Sequence, residues 1–173
     1  YNAENGFAYA VSGVKGKLIA VDLNDSMDGD KSAALSGTEY DIKSMVNAEG
    51  FTYGDMTSVA VSPDGSKLAV AIQAETYEEA GIAALFACNQ DGTLKLLGTA
   101  KTGVQPDMVT FVSNSTLLTA DEGEPREGTK GTDPKGSVTV VTIDPDTAQM
   151  AANSVCFDAF DAQRDALTAA GVL

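Results

Sequence analysis

A hairpin-shaped stretch, "TSVAVSPDGSKLAVAIQ" (57–73), is answered about fifty residues later by "DMVTFVSNSTLLTADEG" (107–123). In the first copy Val59 and Val61 alternate with small residues, Pro63 and Gly65 supply a turn, and Leu68, Val70 and Ile72 alternate again. Proline fits the first central position of such a turn and glycine a later one. In the second copy Val109 and Phe111 answer Val59 and Val61, and Leu117 answers Leu68, across a turn one residue shorter. Each copy leads through a variable connection into a third run with its own turn: "GIAALFACNQDGTLKLLG" (81–98), then "GSVTVVTIDPDTAQMAA" (136–152). Period-two alternation broken by Pro, Gly, Asn and Asp is the mark of antiparallel strands. Four such strands in a unit of about fifty residues, repeated, predict the blades of a β-propeller.

An earlier and partial copy opens the chain, with strands expected over 7–11 and 18–23 and an edge strand around 40–45. It lacks the innermost strand. Residues 24–56 are otherwise polar and read as a long connection. The end differs again: in "DAFDAQRDALTAAGVL" Asp161 is placed to cap a short helix that Gly171 stops. The expected architecture is therefore all-β, a single partial propeller over 1–173. Its blades fall at 5–56 (partial), 57–104 and 105–157, and a helix follows at 158–171. About three blades do not close a ring that typically takes four to eight, and unclosed flanks would be open sheet edges. The chain begins at Tyr1 without Met and reads as a piece of something longer. The remainder of a parent chain, or another copy, is expected to complete the ring.

Charge and two scarce residue types exclude several functions. Eleven Lys and Arg stand against 25 Asp and Glu, a net charge of −14. Such a surface repels phosphate backbones and anionic lipid, which argues against nucleic-acid and membrane-surface partners. The chain has no His, so Ser-His-Asp and Cys-His systems, His-ligated zinc and a His general base are absent from it. Cys88 and Cys156 form no C-x-x-C pair and are expected as buried free thiols in different blades. No apolar run approaches the roughly 20 residues of a transmembrane helix.

The runs "TSVAVSPDG", "QPDMVTF" and "TADEGEPRE…DPKGSVTVV", strongest at 105–107 and 121–126, resemble the choice-of-anchor I family of secreted bacterial β-propellers, which is related to the YVTN- and LVIVD-type repeat propellers. The closing "FDAFDAQRDALTAAGV" is similar to the family's helical insertion between blades. One departure is Asp121, where the pattern has Asn. The resemblance implies a secreted or cell-surface, extracytoplasmic protein and a ring of about seven blades. It also implies fusion of some members to other modules, phosphoesterases among them, but attaches no catalytic mechanism to the propeller.

The most chemically loaded stretch is "DEGEPREGTKGTDPKGS" (121–137). Asp121, Glu122, Glu124 and Asp133 supply the hard oxygens that Ca²⁺ takes in sets of about six to eight, though their spacing is not that of an EF-hand loop. Arg126 and Lys130 can pair with the same acids, and "DPKG" reads as a type I turn, so internally paired turn chemistry is the competing account. The glycines of "GEPREGTK" imitate a P-loop, but Thr129 stands where that motif requires Lys. Asp55 and Asp107, at the starts of the two inner strands, are candidates for a channel mouth. Tyr40, Tyr53 and Tyr77 are the loop aromatics available to a sugar. These features favour a non-enzymatic extracellular binding or scaffold module with a protein or glycan ligand. The alternative is a metal-dependent hydrolase, a phosphoesterase or lactonase, using carboxylates at the channel mouth with Ca²⁺ as Lewis acid.

Overall fold

Alternation decides the strands. In the computed structural model, which describes residues 1–24, 35–46, 49–125 and 132–172, eleven antiparallel strands form three sheets. The first contains β1 (Phe7–Ser12), β2 (Lys17–Asp22) and β3 (Gly37–Asp41). The second runs in order through β4 (Tyr53–Val61), β5 (Lys67–Ala74), β6 (Ala80–Cys88) and β7 (Leu94–Val104). The third contains β8 (Pro106–Ser113), β9 (Thr116–Asp121), β10 (Ser137–Ile143) and β11 (Met150–Cys156). Strands β4 and β8 are the inner strands, each packing against the sheet before it. The result is an incomplete β-propeller.

Because side chains alternate between faces, a strand flanked by two sheets must be apolar on both sides. β5 satisfies this. Leu68, Val70 and Ile72 join the cluster shared with the first sheet, around Leu18, Ile42, Met56 and Phe86. Ala69 and Ala71 join Leu85, Val109, Leu117, Val141 and Ile143 in the cluster shared with the third. Of the alternating apolar residues of the two hairpins, Leu68, Val70, Val109 and Leu117 are buried, whereas Val59, Val61 and Phe111 are only half-buried. All three half-buried residues lie on the inner strands β4 and β8.

The described connections fall on two rims. The lower rim carries the tight turns at 62–66, 89–93, 114–115 and 144–149, several built on an Asp that accepts from a residue two or three ahead. The N-terminal residues are tied there: Asn2 Nδ2 donates to Gly65 O at 2.9 Å and Asn5 Nδ2 to Asn89 O at 2.9 Å. Gly65 (φ 67°) and Gly92 (φ 77°) take left-handed turn positions beneath this segment. The upper rim carries the strand starts at Tyr53 and Pro106 and the loops 75–79 and 122–136.

Four local expectations are corrected. The third strand of the first sheet is Gly37–Asp41, and the Ile42–Met45 segment that follows is a helical turn (α1) capped by Asp41, whose carboxylate accepts from Ser44 N. Asp161 caps nothing: it lies inside a 3-10 helix, Asp158–Gln163, and α2 (Arg164–Ala169) starts after Gln163 without a side-chain cap. Gly171 does end the tail, with φ 76°. "DPKG" forms no turn and leads directly into β10. Cys88 and Cys156 are free, but Cys88 is half-buried and Cys156 is exposed, because β11 is an edge strand.

Candidate functional site

The upper rim is organised by Gln105. It links β7 to β8 and is buried at 4% exposure, with φ 55°, a left-handed conformation unusual for a non-glycine residue. Hydrogen bonds on both its backbone and its side chain hold it there. Its carbonyl accepts from Glu122 N at 3.0 Å, its Oε1 accepts from Glu124 N at 2.7 Å, and its Nε2 donates to Tyr77 O at 3.2 Å. One side chain thus fixes loop 75–79 of the second sheet and the start of loop 122–136 of the third. A second tie joins the same loops, Tyr77 Oη to Thr132 Oγ1 at 2.7 Å.

Beneath Gln105, Asp121 ends β9 with its carboxylate turned inward at 3% exposure. Oδ1 accepts from Thr119 Oγ1 at 2.8 Å, and Oδ2 accepts from Ser137 Oγ at 2.8 Å and Thr139 Oγ1 at 2.7 Å. Thr139 Oγ1 in turn accepts from Gly103 N at 3.1 Å, which joins the network to β7 of the preceding sheet. A buried carboxylate needs such donors to offset the hydration it has lost.

The four acids proposed as calcium ligands therefore divide. Asp121 points into the seam and is occupied by hydroxyls, whereas Glu122, Glu124 and Asp133 are exposed. Among the described residues, no group of three or more His, Cys, Asp or Glu is placed to hold a metal ion. Arg126 and Lys130, invoked for internal pairing, lie outside the described residues. Lys135 instead pairs with Asp158 of the tail at 2.5 Å, which raises the lysine pKa and lowers the carboxyl pKa. Loop and tail enclose an open cleft of about 900 Å³ lined by Glu122, Asp133, Phe157, Phe160, Arg164 and Leu167 among others.

Asp55 and Asp107 share the rim but not a site. Asp55 lies against Gly13, between β1 and β2; a Cβ on that glycine would lie 2.1 Å from Asp55 Oδ1. This Oδ1 is buried and has no hydrogen-bond partner. Nearby, Tyr53 donates its hydroxyl to Gly13 O at 2.8 Å, and burial, followed by the charge of Asp55, pushes its pKa up to about 12. Asp107 sits exposed at a β-bulge of β8, where the register steps from Pro106 to Met108. Thr57 occupies the matching bulge of β4 and donates to Pro106 O at 2.7 Å. Of the three tyrosines expected in loops, Tyr40 lies in β3 and Tyr53 begins β4, which leaves only Tyr77 in a loop; all three hydroxyls are engaged, Tyr40 on Gly92 O, Tyr53 on Gly13 O and Tyr77 on Thr132.

Residue type alone did not mark Gln105 as the organiser. Its sequence signals were the pair Gln-Pro at a strand start, where the residue before proline is already restricted, and a family resemblance that is strongest at 105–107. The clasp on Cys88 was also missed; its sulfur meets Tyr9 Oη at 2.9 Å and Asn2 Nδ2 at 3.4 Å.

Solved structures share the fold at low identity. A Bacteroides uniformis ATCC 8492 protein named "putative 6-phosphogluconolactonase" matches 88% of this chain at 20% identity, with a TM-score of 0.60. A protein from Lactobacillus plantarum matches 84% at 14% identity, with a TM-score of 0.59. This chain spans only 38% and 37% of their lengths, respectively. No curated protein matches. The Choice-of-anchor I domain matches residues 1–173 throughout, and the chain belongs to that family.

Proposed function

We propose that this protein is a non-enzymatic binding or scaffold module of the bacterial cell surface or secreted fraction, engaging an extracellular protein or glycan through its upper rim. Family membership supports a cell-surface module. The observation that carries the binding reading is Gln105, a strained and buried residue whose hydrogen bonds fix two loops against each other. Strain kept in place by its surroundings concentrates at functional positions. The acids on those loops, Glu75, Glu78, Glu79, Glu122 and Glu124, are exposed, available to a partner rather than directed to a common centre. In this reading the blades are 5–56, 57–104 and 105–157, and the tail 158–171 flanks the rim.

A second reading is favoured by two observations, the lactonase name of one structural neighbour and the unpartnered buried oxygen of Asp55. It is a metal-dependent phosphoesterase or lactonase working from rim carboxylates, Asp55 and Asp107 or Asp121, Glu122, Glu124 and Asp133, with Ca²⁺. Elemental analysis of the purified protein, followed by lactonase, phosphatase and esterase assays with and without chelator, separates the two. The scaffold reading expects no stoichiometric metal and no chelator-sensitive turnover. Either one would replace it with the second. Cell fractionation with an antibody to the protein tests the location.

A further inference from the structure

The tail after β11 brings a row of apolar side chains to the upper rim. Its first stretch, Asp158–Gln163, is a 3-10 helix, and Phe160 N donates to Phe157 O at 2.9 Å where it begins. Residues three apart eclipse in such a helix. Phe157 and Phe160 therefore share one side of it, and Asp158 and Asp161 the next. Lys135 engages the acidic side: its Nζ pairs with Asp158 and lies 4.0 Å from Asp161 Oδ2. This contact joins the tail to loop 122–136 and leaves the two phenyl rings 52% and 49% exposed. With Leu167 and Val172 they make up the apolar part of the cleft of about 900 Å³ between tail and loop. Uncovered apolar surface in a cleft of this kind marks an interaction site.

Charge indicates what the cleft takes. Glu122, Asp133, Asp158 and Asp161 line it, with only Lys135 and Arg164 to balance them, and Lys135 is committed to the acids of the tail. The side chains of Glu122 and Asp133 make no hydrogen bond or ion pair among the described residues. Free carboxylates beside uncovered aromatic rings attract a cation twice over, by charge and through the ring face. The net charge of −14 adds a field of the same sign. The ridge of residues 133–136 that borders the cleft also borders a second hollow, of about 530 Å³, which reaches Glu78 and Ser154. Two hollows across one ridge suit an extended chain rather than a compact ion. The bonds of Tyr77 to Thr132 and of Gln105 to both loops hold the ridge and its surroundings in place, which lowers the ordering cost of binding.

We infer that the cleft between tail and loop binds an extended basic segment of a partner protein. The segment places an arginine or lysine against Phe157, Phe160 and the carboxylates of Glu122 and Asp133, and an apolar neighbour against Leu167 and Val172. The inference rests on the binding reading of the rim and narrows its partner from a protein or glycan to a protein.

The test uses the full polypeptide encoded by the gene. The thiol of Phe160→Cys should label readily in the native protein, with Cys88 and Cys156 distinguished by peptide mass mapping. Protection until unfolding would overturn the inference by showing that the cleft is already filled. Fluorescence anisotropy then compares three labelled octapeptides, of alternating arginine and leucine, arginine and glycine, and glutamate and leucine. The arginine–leucine peptide should bind about tenfold tighter than the arginine–glycine peptide. Phe157→Ala with Phe160→Ala should erase that preference, and Glu122→Gln with Asp133→Asn should weaken both basic peptides severalfold. Melting temperatures should stay unchanged, because all four residues are exposed. Equal binding of the two basic peptides by wild type would reduce the effect to general attraction to an acidic surface and overturn the inference. Preference for the glutamate–leucine peptide, lost in Arg164→Ala, would replace the basic partner with an anionic one. Binding of no peptide would overturn the cleft alone, since the metal and turnover assays judge the binding reading of the rim separately.

Discussion

Replacing Asp121 by alanine removes the acceptor of three hydroxyl hydrogen bonds at once, those of Thr119, Ser137 and Thr139. A hydrogen bond to a charged group contributes about 1.5–3 kcal/mol, and a buried donor left unpaired costs about 1–3 kcal/mol. The hydroxyls can rotate toward other acceptors, so the losses do not simply add; about 3–5 kcal/mol is the expected total. For a chain of this size each kcal/mol moves the melting temperature by about 2–4 °C, so the variant should melt roughly 6–20 °C lower. Asp121→Asn keeps the shape and one acceptor oxygen but brings a donor toward two hydroxyls, and should fall between wild type and Asp121→Ala. Thermal unfolding followed by circular dichroism, run in excess chelator and again in millimolar calcium, reads both the size and the cause. A structural carboxylate gives the same loss in both buffers. A wild-type-like melting temperature in chelator, within about 2 °C, would refute the network account and return Asp121 to the list of ligands.

Gly103→Ala attacks the same network from the neighbouring sheet, because its Cβ would lie 2.2 Å from Ser137 Oγ and 2.7 Å from Asp121 Oδ2. A loss of about 1–3 kcal/mol is expected from overpacking, and no change in the melting curve would show that the two sheets are not locked there. Tyr53, whose pKa burial and Asp55 raise to about 12, favours the neutral phenol in the fold. Its contribution is complete below about pH 10 and is lost as pH rises toward 12. A phenolate absorbance titration should therefore show its ionisation coupled to alkaline unfolding, whereas native ionisation near pH 10 would contradict its burial. Cys156, exposed on an edge strand, should react with a thiol reagent in the native protein, and Cys88, held under Tyr9 and Asn2, should react mainly on unfolding. Mass mapping of the labelled peptides decides.

The hairpins were legible because period-two alternation and turn chemistry agree there: Leu68, Val70 and Ile72 mark one face of β5, and Gly65 takes the left-handed turn position. β3 was displaced because its sequence, Gly-Thr-Glu-Tyr-Asp, carries no apolar alternation, while the more apolar Ile42–Met45 beside it closes a helical turn. At the rim the sequence marked the acids but not their directions. Parity held that information: Leu117, Thr119 and Asp121 share a face, so a buried Leu117 places the Asp121 carboxylate inside as well. Gln105 was not legible, since its role depends on carbonyl and amide groups 28 and 19 residues away that only the folded sheets bring within reach.

The division of the interior into two clusters, with the second sheet belonging to both, bears on how the protein loses its structure. Each sheet depends on its neighbours rather than on a common centre, so stability is a chain of nearest-neighbour terms. Substitutions within one cluster should couple, for example Val70 with Phe86. Pairs drawn from opposite sides of β5, such as Leu18 with Val141, should combine additively. Native-state hydrogen exchange would then show β1–β3 opening without β8–β11. The cooperative unit of this molecule is the seam between two sheets rather than the sheet itself.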